Sequence, residues 1–171
     1  LPKKGFVFCC FNNSWKIAAP VFDIWMRLLS QVEGSVLWLM DGPHAANLRK
    51  EAQTRGIDPN RLVFAPKLLA EAHLARHQLA DLFLDTLPYN AHTTCSDALW
   101  AGLPVVTCYG KAFPGRVAAS LLKAVDLMEL VAETPQRYEE RALELARNPA
   151  LLKATREKLA RNRLTTPLFD S

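Results

Sequence analysis

The chain has 171 residues, half of them hydrophobic and 22% charged, which is ordinary for one soluble globular domain with a sizeable core. Its apolar runs fall far short of the ~20 residues that a membrane-spanning helix needs, and Leu1-Pro2-Lys3-Lys4 leads into a strand-like run with no secretory leader. The net charge of +4 is local: residues 136–163 hold the whole basic excess, with Arg and Glu interleaved among Leu143, Leu145, Leu151, Leu152 and Leu159. That pattern predicts solvated faces of packed helices, and neither nucleic acid nor membrane is expected as a partner.

In chain order, apolar runs alternate with helical patterns. Strands are predicted at Phe6–Phe11, Ser35–Met40, Arg61–Ala65, Asp81–Asp85 and Pro104–Thr107, with a short sixth at Glu129–Ala132. Helices are predicted near 17–32, 44–55, 70–78, 95–101, 114–124, 135–147 and 149–163. Ile24, Trp25, Leu28, Leu29 and Val32 form a core-facing stripe. Gly34, Gly56 and Gly102 stand where helix-ending glycines belong, and Asn148-Pro149 separates the last two helices. The fold class is therefore α/β, a Rossmann-like, doubly wound parallel sheet. We divide it into a binding lobe over 1–132 and C-terminal helices over 133–171 packed on that lobe. The absence of an initiator Met suggests a piece of a longer protein.

Cys9, Cys10, Cys95 and Cys108 form no CxxC pair, so buried, reduced thiols are expected, and no metal ligand set. GxGxxG, GxxxxGK[ST] and GxSxG are all missing, which argues against a dinucleotide enzyme, a P-loop ATPase and an α/β-hydrolase. His44 and His77 read as surface residues, and Asp23, Asp41, Asp81 and Asp85 as carboxylates without an acid–base partner.

In such a sheet ligands sit at the carboxyl ends of the strands, so the loops 12–16, 66–73 and 86–94 are where chemistry is sought. Asn90-Ala-His-Thr-Thr-Cys-Ser-Asp97 runs from a strand into a helix, an arrangement that leaves free N–H groups at a positive dipole end. The alternative is an ordinary cap, with Thr94 and Asp97 at capping-box spacing. Lys16 could neutralise a phosphate, with Asn12 and Asn13 as amide donors, or be a solvated lysine beside a capping Asn. His73 and Arg76 share a helix face and could hold a planar base, or lie on the surface beside Glu71.

Assembled, these stretches resemble the catalytic region of the O-linked N-acetylglucosamine transferases and their SPINDLY-type relatives. The matching residues are Phe8–Ile17, Ser35–Leu39, Asn60–Phe64, Gln78–Asp81, Leu84–Thr86, Asn90–Thr94, Asp97–Pro104, Arg116–Ser120 and Thr166-Pro167-Leu168-Phe169. The resemblance implies the C-terminal lobe of a B-type glycosyltransferase, the half that binds the nucleotide sugar. It implies that the backbone at His92, Thr93 and Thr94 holds the diphosphate. Lys16 would neutralise the departing nucleotide with Asn13 nearby, Asp97 would meet the ribose, and His73, Arg76 and the backbone at Leu68 would meet the base. Ala70 stands where animal relatives carry a lysine, so that contact is absent or falls to Lys67, and Leu69 replaces a frequent proline. The resemblance further implies transfer of N-acetylglucosamine from UDP-GlcNAc to protein Ser/Thr hydroxyls without metal or other cofactor, in the cytoplasm. A missing N-terminal lobe would complete the catalytic unit, and helical repeats would precede it. The alternatives are a GDP-fucose-type protein O-fucosyltransferase and a non-catalytic nucleotide-binding module.

Overall fold

The computed structural model describes residues 1–169; residues 170 and 171, which end the segment assigned to the C-terminal helices, lie outside the described residues. Val7–Cys10 (β1), Val36–Met40 (β2), Leu62–Ala65 (β3), Leu82–Leu84 (β4), Val105–Cys108 (β5) and Val131–Ala132 (β6) form one sheet. Its order is β3-β2-β1-β4-β5-β6, and every neighbouring pair is parallel. The registers bring Val7 beside Val36, Phe8 beside Leu82, and Phe83 beside Val105. Phe8, Cys9, Leu37, Leu62, Leu82 and Phe83 are wholly buried, as strands covered on both faces require. Each large side chain among them contributes roughly 1.5–3 kcal/mol of transfer free energy.

Among the described residues seven α-helices flank the sheet: Ala19–Gln31 (α1), Ala45–Thr54 (α2), Ala70–Arg76 (α3), Thr93–Trp100 (α4), Val117–Ala124 (α5), Pro135–Arg147 (α6) and Pro149–Asn162 (α7). The stripe on α1 is buried, and Trp25 reaches the buried Tyr138 of α6, to whose hydroxyl its indole N–H donates at 3.0 Å. Thr134 caps α6 by accepting from Arg137 N, and Asn148 caps α7 by accepting from Leu151 N. Pro135 and Pro149 follow at first helical positions, where a proline costs no hydrogen bond.

Several boundaries differ from the sequence expectation, three of them beside the loops at the carboxyl edge of the sheet. The helix expected from residue 17 is a 3-10 turn, Ser14–Lys16, and then α1, whose start is set by Pro20 in its first turn. The helix expected from residue 95 begins at Thr93, so Thr93 and Thr94 belong to its first turn. Between β5 and α5 the chain makes another 3-10 turn, Phe113–Gly115.

The basic tail is accounted for by packing. Arg137 pairs with Glu140, Arg141 with Glu144, Arg156 with Asp81, and Lys158 with Glu129. Arg147 donates to the Gln31 carbonyl at 3.0 Å. Among the described residues no helix is long and apolar enough to cross a membrane.

Candidate functional site: the mouth between β1 and β4

Chain order reverses between β1 and β4: the strands before β4 progress to one edge of the sheet and those after it to the other. The loops leaving β1 and β4 therefore diverge and open a crevice at the carboxyl edge, where doubly wound sheets bind ligands. Phosphate chemistry was sought in those two loops, and the structure ties them together.

Asn12, buried at the end of β1, donates through Nδ2 to Thr86 Oγ1 at 2.7 Å, and its Oδ1 accepts from the Thr94 hydroxyl. Thr94 is thus engaged across the crevice, and the capping box with Asp97 does not form; the N-cap is His92, without a side-chain cap. Asn13 is exposed and makes no cap bond to the 3-10 turn that follows it. Lys16, on that turn, sends Nζ to the Asn90 carbonyl oxygen at 2.9 Å and lies 4.4 Å from the centre of the Tyr89 ring. Tyr89 stacks on His92 with centroids 5.1 Å apart.

Three residues beyond Asn90, α4 begins. Among the described residues, no acceptor meets the N–H of His92, Thr93 or Thr94, whereas Cys95 and Ser96 N–H both reach the His92 carbonyl at 3.1 Å. Free amides, a helix dipole and an ammonium group therefore converge on one side of the sheet. Burial lowers the pKa of Lys16 from its usual value, and the charge of Asp85 opposes that shift.

Behind the loop lies Asp85, a fully buried carboxylate at the end of β4. Its Oδ1 accepts from Thr86 N at 2.8 Å and Ala91 N at 2.6 Å, and its Oδ2 from the Thr107 hydroxyl at 2.6 Å. Burial pushes its pKa up to about 7, while those donors and Lys16 act the other way. The sequence left Asp85 as a strand-end carboxylate without an acid–base partner; the structure adds that backbone amides and the Thr107 hydroxyl hold it, which no spacing of acidic residues reveals. An acidic residue directly after Leu82-Phe83-Leu84 was the available signal, since the end of a central parallel strand is covered on both faces.

The base-side residues lie around Phe11. His73 is half-buried, with its ring 5.5 Å from that of Phe11. Burial lowers the His73 pKa, the charge of Arg76 adds to this, and Asp97 opposes it. Arg76 and His77 correct the sequence expectation. Arg76 is only 5% exposed; Nη1 lies 4.0 Å from Met40 Sδ, and Nε and Nη2 have no partner. His77, read as a surface residue, is wholly buried, and its Nδ1 donates to the His73 carbonyl at 2.9 Å. Both reversals have one cause: α3 ends against the carboxyl ends of β1 and β2, so its last turn faces Phe11 and Met40. His44 is likewise half-buried, held by the Met40 carbonyl at 2.9 Å.

Lys67, Leu68, Leu69 and Ala70 are exposed on the rim. A cleft of 430 Å³ joins this rim to the β1 loop, lined by Phe11, Asn13, Ser14, Met40, His44 and Lys67. The far wall of the crevice is the turn after β5. There Pro114 O accepts from Asn90 N at 2.9 Å, and a Cβ on Gly115 would stand 2.6 Å from Pro88 O. Asp85 is the structural member of the site whose role the sequence did not single out. All four cysteines are buried and unpaired, and no trio of His, Cys, Asp or Glu poised for a metal occurs among the described residues.

The model of the Glycosyl transferase family 41 matches residues 1–171. This chain belongs to glycosyl transferase family 41. It is 41% identical over 99% of its length to a UDP-N-acetylglucosamine–peptide N-acetylglucosaminyltransferase of Caenorhabditis elegans. It is 37% identical over its whole length to a probable UDP-N-acetylglucosamine–peptide N-acetylglucosaminyltransferase, SEC, of Arabidopsis thaliana. The chain spans only 15% and 18% of those relatives. Among solved structures, an O-GlcNAc transferase mutant of Thermobaculum terrenum superposes on 98% of the chain with a TM-score of 0.92 at 34% identity, the chain covering 33% of it. WaaG, a glycosyltransferase of lipopolysaccharide biosynthesis, superposes with a TM-score of 0.73 at 18% identity, which shows a shared glycosyltransferase fold.

Proposed function

We propose that this chain is the donor-binding lobe of a family 41 enzyme that moves N-acetylglucosamine from UDP-GlcNAc to protein Ser/Thr hydroxyls. The single observation that carries this reading is the convergence of Lys16 with the free amides of His92, Thr93 and Thr94. When the acceptor oxygen attacks the anomeric carbon, the bond to the β-phosphate breaks and UDP leaves with added negative charge. Lys16 Nζ and the amides at the start of α4 stabilise that charge, so the step calls on no metal. Asn13 lies beside the phosphates, Asp97 beside the ribose, and His73 with the Leu68 backbone beside the uracil; Arg76 backs the base from beneath Phe11. The acceptor-facing wall and the group that takes the hydroxyl proton belong to an N-terminal lobe of the parent protein, which works in the cytoplasm. Helical repeats in the parent would present the acceptor.

The relatives' names support UDP over GDP as the nucleotide. Calorimetric titration of the chain with UDP and with GDP tests this: tighter UDP binding is expected, and tighter GDP binding overturns the N-acetylglucosamine assignment. Sugar transfer requires the parent, so turnover by these 171 residues alone would contradict the division of labour between lobes.

A further inference from the structure

The most connected side chain at the crevice is one the proposed reaction does not use. Asp85 touches the substrate space nowhere. Its Oδ1 gathers the N–H groups of Thr86 and Ala91, the two ends of the loop that precedes His92, and its Oδ2 gathers the Thr107 hydroxyl of β5. Its own carbonyl accepts from the Tyr138 hydroxyl at 2.9 Å, which in turn receives the Trp25 indole N–H. The residue is thereby fixed by α1, α6, β5 and its own loop. Asn90, on that loop, gives its carbonyl to Lys16, and α4 opens three residues later.

We propose that Asp85 is a positioning residue of the donor site: it sets the 86–92 loop that presents the α4 amides, and its negative charge keeps Lys16 an ammonium group. The proposal deepens the donor-site reading and rests on it for the role of Lys16, yet it can be tested without nucleotide. Other groups that act on this carboxylate or on Lys16 are Cys10 of β1, Cys95 of α4, Cys108 of β5 and Tyr138 of α6. Burial raises the pKa of all four above its ordinary value, so they carry no charge at neutral pH. Asp85 is therefore the one buried anion among them. It ionises about pH 7, well before an amine gives up its proton, so its charge is in place across the alkaline range. Burial would otherwise strip the proton from Lys16 earlier.

The test is an NMR titration of the ligand-free chain carrying 13C-labelled lysine, with the Lys16 Cε signal assigned by its loss in Lys16→Met. In the wild-type chain that signal should show a first step near pH 7, as Asp85 ionises, and a second as Lys16 deprotonates. In Asp85→Asn, which keeps an acceptor for both amides, the first step should vanish and the second move down by about one pH unit. The Thr93 and Thr94 amide signals should stay close to wild type in Asp85→Asn and shift in Asp85→Ala. A wild-type titration with no step near pH 7 overturns the electrostatic role, and that reading stands even if the variants do not fold. Equal displacement of the two amides in Asp85→Asn and Asp85→Ala overturns the loop-setting role. Failure of UDP to bind would instead count against the donor-site reading alone.

Discussion

The two sides of the crevice are built differently. On the phosphate side, Asn12, Lys16, Asp85, Thr86, Asn90 and Thr94 are held by hydrogen bonds that cross between the β1 loop, the β4 loop and β5. On the base side, Lys67, Leu68, Leu69 and Ala70 stand in solvent, and the Leu69 carbonyl, accepting from His73 N, caps α3 at that rim. Charge changes during sugar transfer at the phosphate and not at the base. Donors aimed at developing charge work best when fixed beforehand, whereas a rim that only binds can be shaped as the nucleotide arrives. Under the proposed function, the phosphate side would be the catalytic half and the base side a binding edge.

The largest expected effect concerns stability on the phosphate side. The folded-state pKa of Asp85 is raised, from 3.8 to about 7, so folding favours its protonated form. Its contribution is fully present below about pH 4 and is lost as pH rises through 7. That loss amounts to about 4 kcal/mol at most. Urea unfolding at pH 5 and pH 8.5 should therefore show a smaller difference in Asp85→Asn than in wild type, and an equal difference contradicts the buried, titrating carboxylate. Next, Lys16→Met in the parent enzyme should lower kcat by a factor corresponding to about 3 kcal/mol with little change in KM. A pure KM effect would move Lys16 to the binding edge.

Asn12→Leu removes the strap between the two loops and leaves the buried Thr86 hydroxyl without its donor. Chemical denaturation should report a loss of about 2 kcal/mol. His73→Ala should weaken UDP binding by about 1 kcal/mol, the scale of one aromatic contact, with kcat unchanged. Leu68→Ala should move UDP affinity by less than about 0.5 kcal/mol, because only its backbone is assigned a role and its side chain is already exposed. A larger cost would show that the rim is as preorganised as the phosphate side.

The strand runs, the α1 stripe and the Asn148-Pro149 break were legible because burial on both faces and helical spacing leave direct marks in sequence. Gly102, which follows α4 with φ of +82°, was legible for the same reason: only glycine adopts that conformation cheaply. Lys16 and His92-Thr93-Thr94 were legible as a strand–loop–helix phosphate motif, although local pattern alone left an ordinary cap as the alternative. The Thr94–Asn12 bond, a contact 82 residues apart in sequence, excludes the capping box with Asp97. His77 was misplaced, and the burial of Arg76 was not foreseen, because helical spacing gives a side chain's angle around the axis and not what lies beyond it. Asp85 stayed hidden because its partners are backbone N–H groups, which every residue but proline carries.

The most direct test is a 1H–15N NMR titration of the chain with UDP, following the Thr93 and Thr94 amides together with the Lys16 side chain. All three signals should move with one shared dissociation constant, and Lys16→Met should weaken that constant while leaving the free amide positions unchanged. UDP binding that leaves the α4 amides in place, or moves them and Lys16 at different nucleotide concentrations, would contradict a single pyrophosphate site between β1 and β4.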